Sequence, residues 1–117
     1  MSGKSREKGK TGERELARVL RAEGFDARRG VQYRGDAGSP DVVGLPGIHI
    51  EVKRTECFRM WDALAQSKGE AGEHELPVVV HRKNRCEWVV VQPLADWLEL
   101  YREWMPNAEP EPDEEAS

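Results

Sequence analysis

The run from Ser39 to Lys53 constrains the fold of this 117-residue chain more than any other segment. Ile48 to Lys53 alternates apolar and polar residues, the pattern of a half-buried strand. Val42 and Val43 continue Asp41 into a preceding strand, and Leu45-Pro46-Gly47 fits a three-residue hairpin loop between the two. Proline suits the early turn position, and glycine takes the left-handed conformation that closes a bulged type I turn. In that register Gly44 faces Ile48, Val43 faces His49, Val42 faces Ile50 and Asp41 faces Glu51. One face then carries Asp41, Val43, His49, Glu51 and Lys53, and the other Val42, Ile48, Ile50 and Val52. A two-residue Pro46-Gly47 turn would shift the register by one and separate the carboxylates.

On the longer loop, Asp41 and Glu51 share a face with the ammonium of Lys53. Adjacent carboxylates repel, and a cation resolves the conflict. Mg²⁺ prefers oxygen ligands, keeps several waters and is typically held by one or two carboxylates plus substrate phosphate. Such a trio can hold a divalent ion beside a phosphodiester, with Lys53 orienting a water or neutralising the charge of the transition state. The competing account is an exposed strand face with an ordinary Glu51–Lys53 pair.

Around this hairpin the sequence predicts a helix over residues 11–23, with Leu16, Val19 and Leu20 on its buried side and Gly24 as its stop. Glu13 lies one turn before Leu16 and Ala17 and so borders the apolar stripe. A carboxylate there is costly to bury unless it meets a cation; otherwise it is a favourable charge near a helix N-terminus. Phe25 to Arg29 reads as a first strand. Gly30 to Ser39 is a polar, glycine-rich loop whose Arg34, Gly35, Asp36 and Ser39 can approach DNA, or simply form a mobile loop. A second helix is expected over Phe58–Gly69, with Trp61, Leu64 and Ala65 facing a core. Residues 76–82 and 86–92 read as strands joined at Lys83-Asn84-Arg85. Pro93 suits the first turn of a last helix carrying Leu94, Trp97, Leu98, Tyr101 and Trp104. The order αβββαββα is that of an α/β layer, a mixed five-stranded sheet flanked by helices.

The Pro40-Asp41 start, followed by Glu51-Val52-Lys53 across a short hairpin, resembles the signature of the PD-(D/E)XK nuclease superfamily. The run from Gly9 to Leu16 is similar to the first helix of archaeal-type Holliday junction resolvases, and the likeness extends over about residues 9–92. It implies a restriction-endonuclease-like core. It also implies that Glu13 completes the metal site, directly or through water. Arg29 aligns with a basic position that resolvase-like nucleases place near substrate, and Gln66 falls where related nucleases often carry a glutamine near the active site. The motif recurs across restriction, repair and phage nucleases, so it speaks for nuclease chemistry more than for one DNA substrate.

The resulting expectation is a Mg²⁺-dependent endodeoxyribonuclease, with Mn²⁺ able to substitute. Asp41 and Glu51 would bind the metal with the Val52 backbone carbonyl, Lys53 would position the attacking water, and Arg29, Arg34, Ser39 and Gln66 would contact DNA. Branched or junction DNA is the substrate the likeness implies, and paired incisions on it imply a symmetric homodimer. The alternatives are a phage or restriction-type nuclease of linear or damaged DNA, and a non-catalytic DNA-binding module of the same fold. The intact trio argues against the second, because a binding module needs no such trio.

Composition sets the boundaries. The length suits one domain with one modest core. The net charge of -4 hides a polarity: the tail after Met105 holds five acids and no base, while residues 1–34 hold ten bases and five acids. A basic front fits phosphate contacts. These divisions predict a flexible basic arm over 1–10, a nuclease domain over 11–105 and a disordered acidic tail over 106–117. No stretch is apolar and long enough to span a membrane, no signal-peptide core is visible, and a cytoplasmic location is expected. Cys57 and Cys86 lack zinc-type spacing and read as reduced thiols. His49 falls on the carboxylate face, beside the expected metal, where a structural or DNA-contacting role is the usual one. His74 and His81 receive no role.

Overall fold

A computed structural model of the chain describes residues 2–30 and 40–107, with side chains from Gly9 onward. Its elements are α1 (Ser2–Ala22), β1 (Arg28–Arg29), β2 (Val42–Val43), β3 (Ile48–Arg54), α2 (Met60–Glu70), β4 (Leu76–Arg82), β5 (Val89–Val91) and α3 (Leu94–Trp104). The strands form one mixed sheet in the order β1-β2-β3-β4-β5. Only β3 and β4 run parallel, joined by the α2 crossover; the other pairs are antiparallel. The expected element order and mixed five-stranded sheet are the ones observed.

The hairpin register is as the sequence predicts. Val42 pairs with Ile50, Ile48 N donates to Leu45 O at 3.1 Å, and Gly47 takes a φ of 88°. Gly44, at φ 122°, is a second left-handed position. There a Cβ would lie 2.5 Å from Ala27 Cα, so only glycine lets β2 pass this close to the chain entering β1.

Helix α1 ends as expected. Gly24 sits at φ 100°, its N–H donates to Arg21 O at 3.0 Å and that of Phe25 to Leu20 O at 3.1 Å. This paired closure satisfies carbonyls that a bare helix end leaves open. At its other end α1 begins at Ser2, so the segment expected as a flexible arm is helical from there on.

Two layers of helix cover the sheet. On one face Leu16 and Ala17 of α1 pack with Ala27, Val42, Ile50, Val52, Val78 and Val80, and Leu20 packs against this cluster from a partly buried position. On the other face Ala63 and Leu64 of α2 pack on Val79. Strand β3 is therefore buried on both sides rather than half-buried. Its polar alternate residues His49 and Glu51 lie beneath α2, 0% and 1% exposed.

Several side chains take another place than the periodicity suggests. Val19 is exposed, and Ala17 holds its position against the sheet. Trp61 is 74% exposed and Ala65 faces solvent, because α2 turns its small residues Ala63 and Ser67 to the sheet. The Ser67 hydroxyl donates to the Val78 carbonyl at 3.1 Å, tying α2 down where a larger residue would hold it off. The first strand is only Arg28–Arg29 and the last only Val89–Val91. No described residue of α3 is buried, so its aromatic stripe is surface rather than core. The acidic tail falls, but for its first two residues, outside the described residues.

Candidate active site

The hairpin delivers its carboxylates as a pair. Asp41 N donates to Ile50 O at 2.8 Å, which continues the β2–β3 ladder by one residue. The Asp41 side chain then bends back, and its Oδ2 accepts the Val52 N–H at 2.8 Å. Glu51, directly across, is fully buried on the same face. Asp41 and Glu70 both come within hydrogen-bonding reach of the Glu51 carboxyl. Burial, then the neighbouring Glu70 and Asp41 carboxyls, push the Glu51 pKa up to about 10. Crowding holds a proton on Glu51 where a cation would otherwise stand, and the group is a donor set a divalent cation fits: crowded oxygen ligands short of a counter-charge.

Glu13 reaches this group from α1. Its Oε1 accepts a hydrogen bond from Arg29 Nε at 2.9 Å. Its pKa is raised, chiefly by burial and further by the nearby Asp41 charge, while the hydrogen bond and charge of Arg29 pull the other way. The cation that bonds the partly buried Glu13 in this structure is Arg29.

Lys53, two residues beyond Glu51 on β3, projects to the same face. Its Nζ donates to Gln66 Oε1 of α2 at 3.2 Å. Both line a cleft of about 330 Å³ with Thr55, Phe58, Asp62 and Ala63. Phe58 stacks on His81 with ring centroids 3.9 Å apart, and His81 Nδ1 lies 2.8 Å from the Lys53 carbonyl. His81, backed by Phe58, thereby anchors the backbone that carries Lys53. The Val52 side chain points the other way, into the α1-side core.

Of the residues singled out from sequence, the fold gathers Glu13, Asp41 and Glu51 into one acidic group, with Arg29 on its edge and the Lys53–Gln66 pair on the α2 side. Arg34 and Ser39 lie outside the described residues. The sequence reading missed Glu70, which stands one helical turn after Gln66 and so on the same side of α2; that i, i+4 spacing was the available signal. It also missed Glu75, which nothing in the pattern marks.

His49 is the other finding on this face. Its Nε2 lies 2.9 Å from Glu51 Oε1 and 3.9 Å from Glu70 Oε2.

A family model described as the archaeal Holliday junction resolvase (Hjc) matches residues 4–99. Among solved structures, the chain is similar to the 1.6 Å structure of Hjc from Archaeoglobus fulgidus, a Holliday junction resolvase from an archaeal hyperthermophile. The likeness covers 73% of this chain and 72% of that one, with a TM-score of 0.51 and 23% identity, and it speaks to the fold. No curated protein matches the sequence.

Proposed function

The chain belongs to the archaeal Holliday junction resolvase family, and from that membership we propose that it hydrolyses phosphodiesters of branched DNA with Mg²⁺ held at Asp41 and Glu51. The observation that supports this reading most is the Val42–Ile50 register, which sets those carboxylates on one face across a tight hairpin.

In this reading Asp41 and Glu51 ligate the cation, the Val52 carbonyl adds a backbone oxygen, and Glu13 completes the site directly or through water. When bound, the cation supplies Lewis acidity to the reacting phosphate. Lys53 orients the attacking water in line with the scissile bond and neutralises charge gathering on the phosphate. Gln66 restrains the Lys53 ammonium, which supports its aim at one point of the cleft. Hydrolysis proceeds without a covalent enzyme intermediate, in keeping with a site that presents carboxylates and an amine. Arg29, Arg34 and Ser39 contact the DNA backbone near the cut.

Two incisions on one junction need two sites, and a symmetric pair of chains supplies them. The outer face of α3 supports this arrangement. Trp97 and Tyr101 stack at 5.6 Å between ring centroids, Trp104 meets Tyr101 edge-on, and Leu100 lies exposed beside them. An apolar face of this kind suits a second copy of the chain.

Cleavage of four-way junctions, flaps and plain duplex, each with Mg²⁺ and with a chelator, tests the proposal. Junctions are expected to be cut first and only with the metal. Equal cutting of plain duplex would move the chain to a linear-DNA nuclease, and cutting in chelator would remove the metal from the reaction.

A further inference from the structure

Beneath α2, three carboxylates converge on one imidazole. His49 is fully buried. Its Nε2 faces Glu51 and Glu70, and its Nδ1 lies 3.6 Å from Glu75 Oε1. That Nδ1 has no hydrogen-bond partner among the described residues. A buried nitrogen is rarely left so, and its neighbours here are all acceptors.

We infer that His49 Nε2, Glu51 and Glu70 form a second divalent-cation site, distinct from the one on the Asp41 side, that takes Mn²⁺ through its imidazole nitrogen. One nitrogen and two carboxylate oxygens lie within 4.8 Å of one another. A cation about 2.1 Å from each ligand spaces adjacent ligands roughly 3.0 Å apart and opposite ones roughly 4.2 Å. The two His49 separations, 2.9 and 3.9 Å, are close to that span.

The ligand chemistry narrows the metal to a first-row transition ion, for which Mn²⁺ is the paramagnetic probe. Carboxylates and water suit Mg²⁺, whereas an imidazole nitrogen moves preference toward transition ions. Glu75 supplies the supporting partner. Metal-bound histidines donate their other N–H to a carboxylate, which fixes the tautomer. Gly72 N holds Glu75 Oε1 at 2.7 Å, near enough to Nδ1 that a shift of a few tenths of an ångström completes the bond. Glu70, with its side chain 26% exposed, opens the site to solvent. Glu51 is shared with the proposed catalytic cation, so the two positions adjoin across one carboxylate. Cation binding by His49, Glu51 and Glu70 does not require Asp41 to act in hydrolysis.

The test uses the full chain with Mn²⁺ as the probe, followed by electron paramagnetic resonance, in an Asp41→Asn background that disables the neighbouring site. Mn²⁺ is expected to bind and to show nitrogen hyperfine coupling. His49→Asn should abolish the coupling, and Glu70→Gln should weaken binding by about tenfold or more. Binding without nitrogen coupling, or indifference to Glu70→Gln, would overturn the site and leave His49 as a proton-bearing partner of the carboxylates. Should His49→Asn fail to fold, Glu70→Gln at the solvent edge carries the test by itself. Persistent DNA cleavage by Asp41→Asn would strike the catalytic proposal and leave the Mn²⁺ result standing.

Discussion

Arg29 Nε donates to Glu13 Oε1 at 2.9 Å, joining the first strand to the first helix at the rim of the carboxylate group. The sequence predicts one of these residues at a metal and the other at a phosphate; in the fold they meet each other. The pair explains how Glu13 tolerates partial burial beside Asp41.

Arg29→Ala is expected to cost roughly 1 kcal/mol, because both ends of the pair remain partly solvated. Urea titration measures it. With Arg29 proposed at a phosphate, the same variant should reduce the salt slope of DNA binding by about one unit. An unchanged slope would leave the guanidinium with Glu13 in the complex and remove Arg29 from the DNA contacts.

Asp41→Asn should abolish cleavage and spare DNA binding. The amide keeps its oxygen for the Val52 N–H but loses the charge that holds a cation. Junction binding by gel shift and cleavage in Mg²⁺ separate the two effects. Wild-type turnover by this variant, purified free of host nucleases, would remove Asp41 from the mechanism.

Lys53→Ala should lower the cleavage rate by about a hundredfold or more, the usual effect of removing one group that stabilises transition-state charge. Gln66→Ala should cost less, since it takes away the restraint on Lys53 and not the charge. Single-turnover rates at saturating enzyme measure both. A Lys53→Ala chain that cuts at the wild-type rate refutes the role given to that residue.

Metal-free stability should decline with pH through the Glu51 group. Its pKa stands at about 10 in the fold against an ordinary 4.5, so the folded chain keeps a proton that the unfolded chain gives up. The stability linked to that proton is complete below 4.5 and is lost as pH rises toward 10. Glu13, also raised, acts in the same direction. A divalent cation replaces the proton, so the gain in stability from Mg²⁺ should be larger at about pH 9 than at about pH 6. Urea midpoints with chelator and with Mg²⁺ at the two pH values check this, and an equal gain at both would exclude the mechanism.

Trp97→Glu, on the exposed face of α3, should leave the monomer fold intact and shift a solution dimer toward monomer. Sedimentation velocity reads the mass, and circular dichroism the fold. An unchanged dimer would place the contact between copies elsewhere.

The sequence by itself determined the hairpin. Strict alternation over Ile48–Lys53 marks the strand and Gly47 the turn, while both a two-residue and a three-residue loop fit that pattern; the fold takes the longer one, which pairs Val42 with Ile50 and sets Asp41 opposite Glu51. Gly24 fixed the end of α1 for a similar local reason. Helix faces were less legible. Trp61 looked like core because it is large and apolar, yet α2 buries Ala63, Leu64 and Ser67, a choice made by how closely a helix can lie over His49 and Val79. The aromatic stripe of α3 was periodic without being buried, since periodicity tells which side is apolar and not what covers it.

Only the tertiary structure decided the partners of the buried charges. Glu13 with Arg29, Lys53 with Gln66, and His49 with Glu51, Glu70 and Glu75 are contacts between elements distant in the chain or between a strand and the helix laid over it. Local pattern follows from backbone geometry, which each short segment carries within itself. Electrostatic pairing depends on which groups lose water together, and that is settled when the layers close.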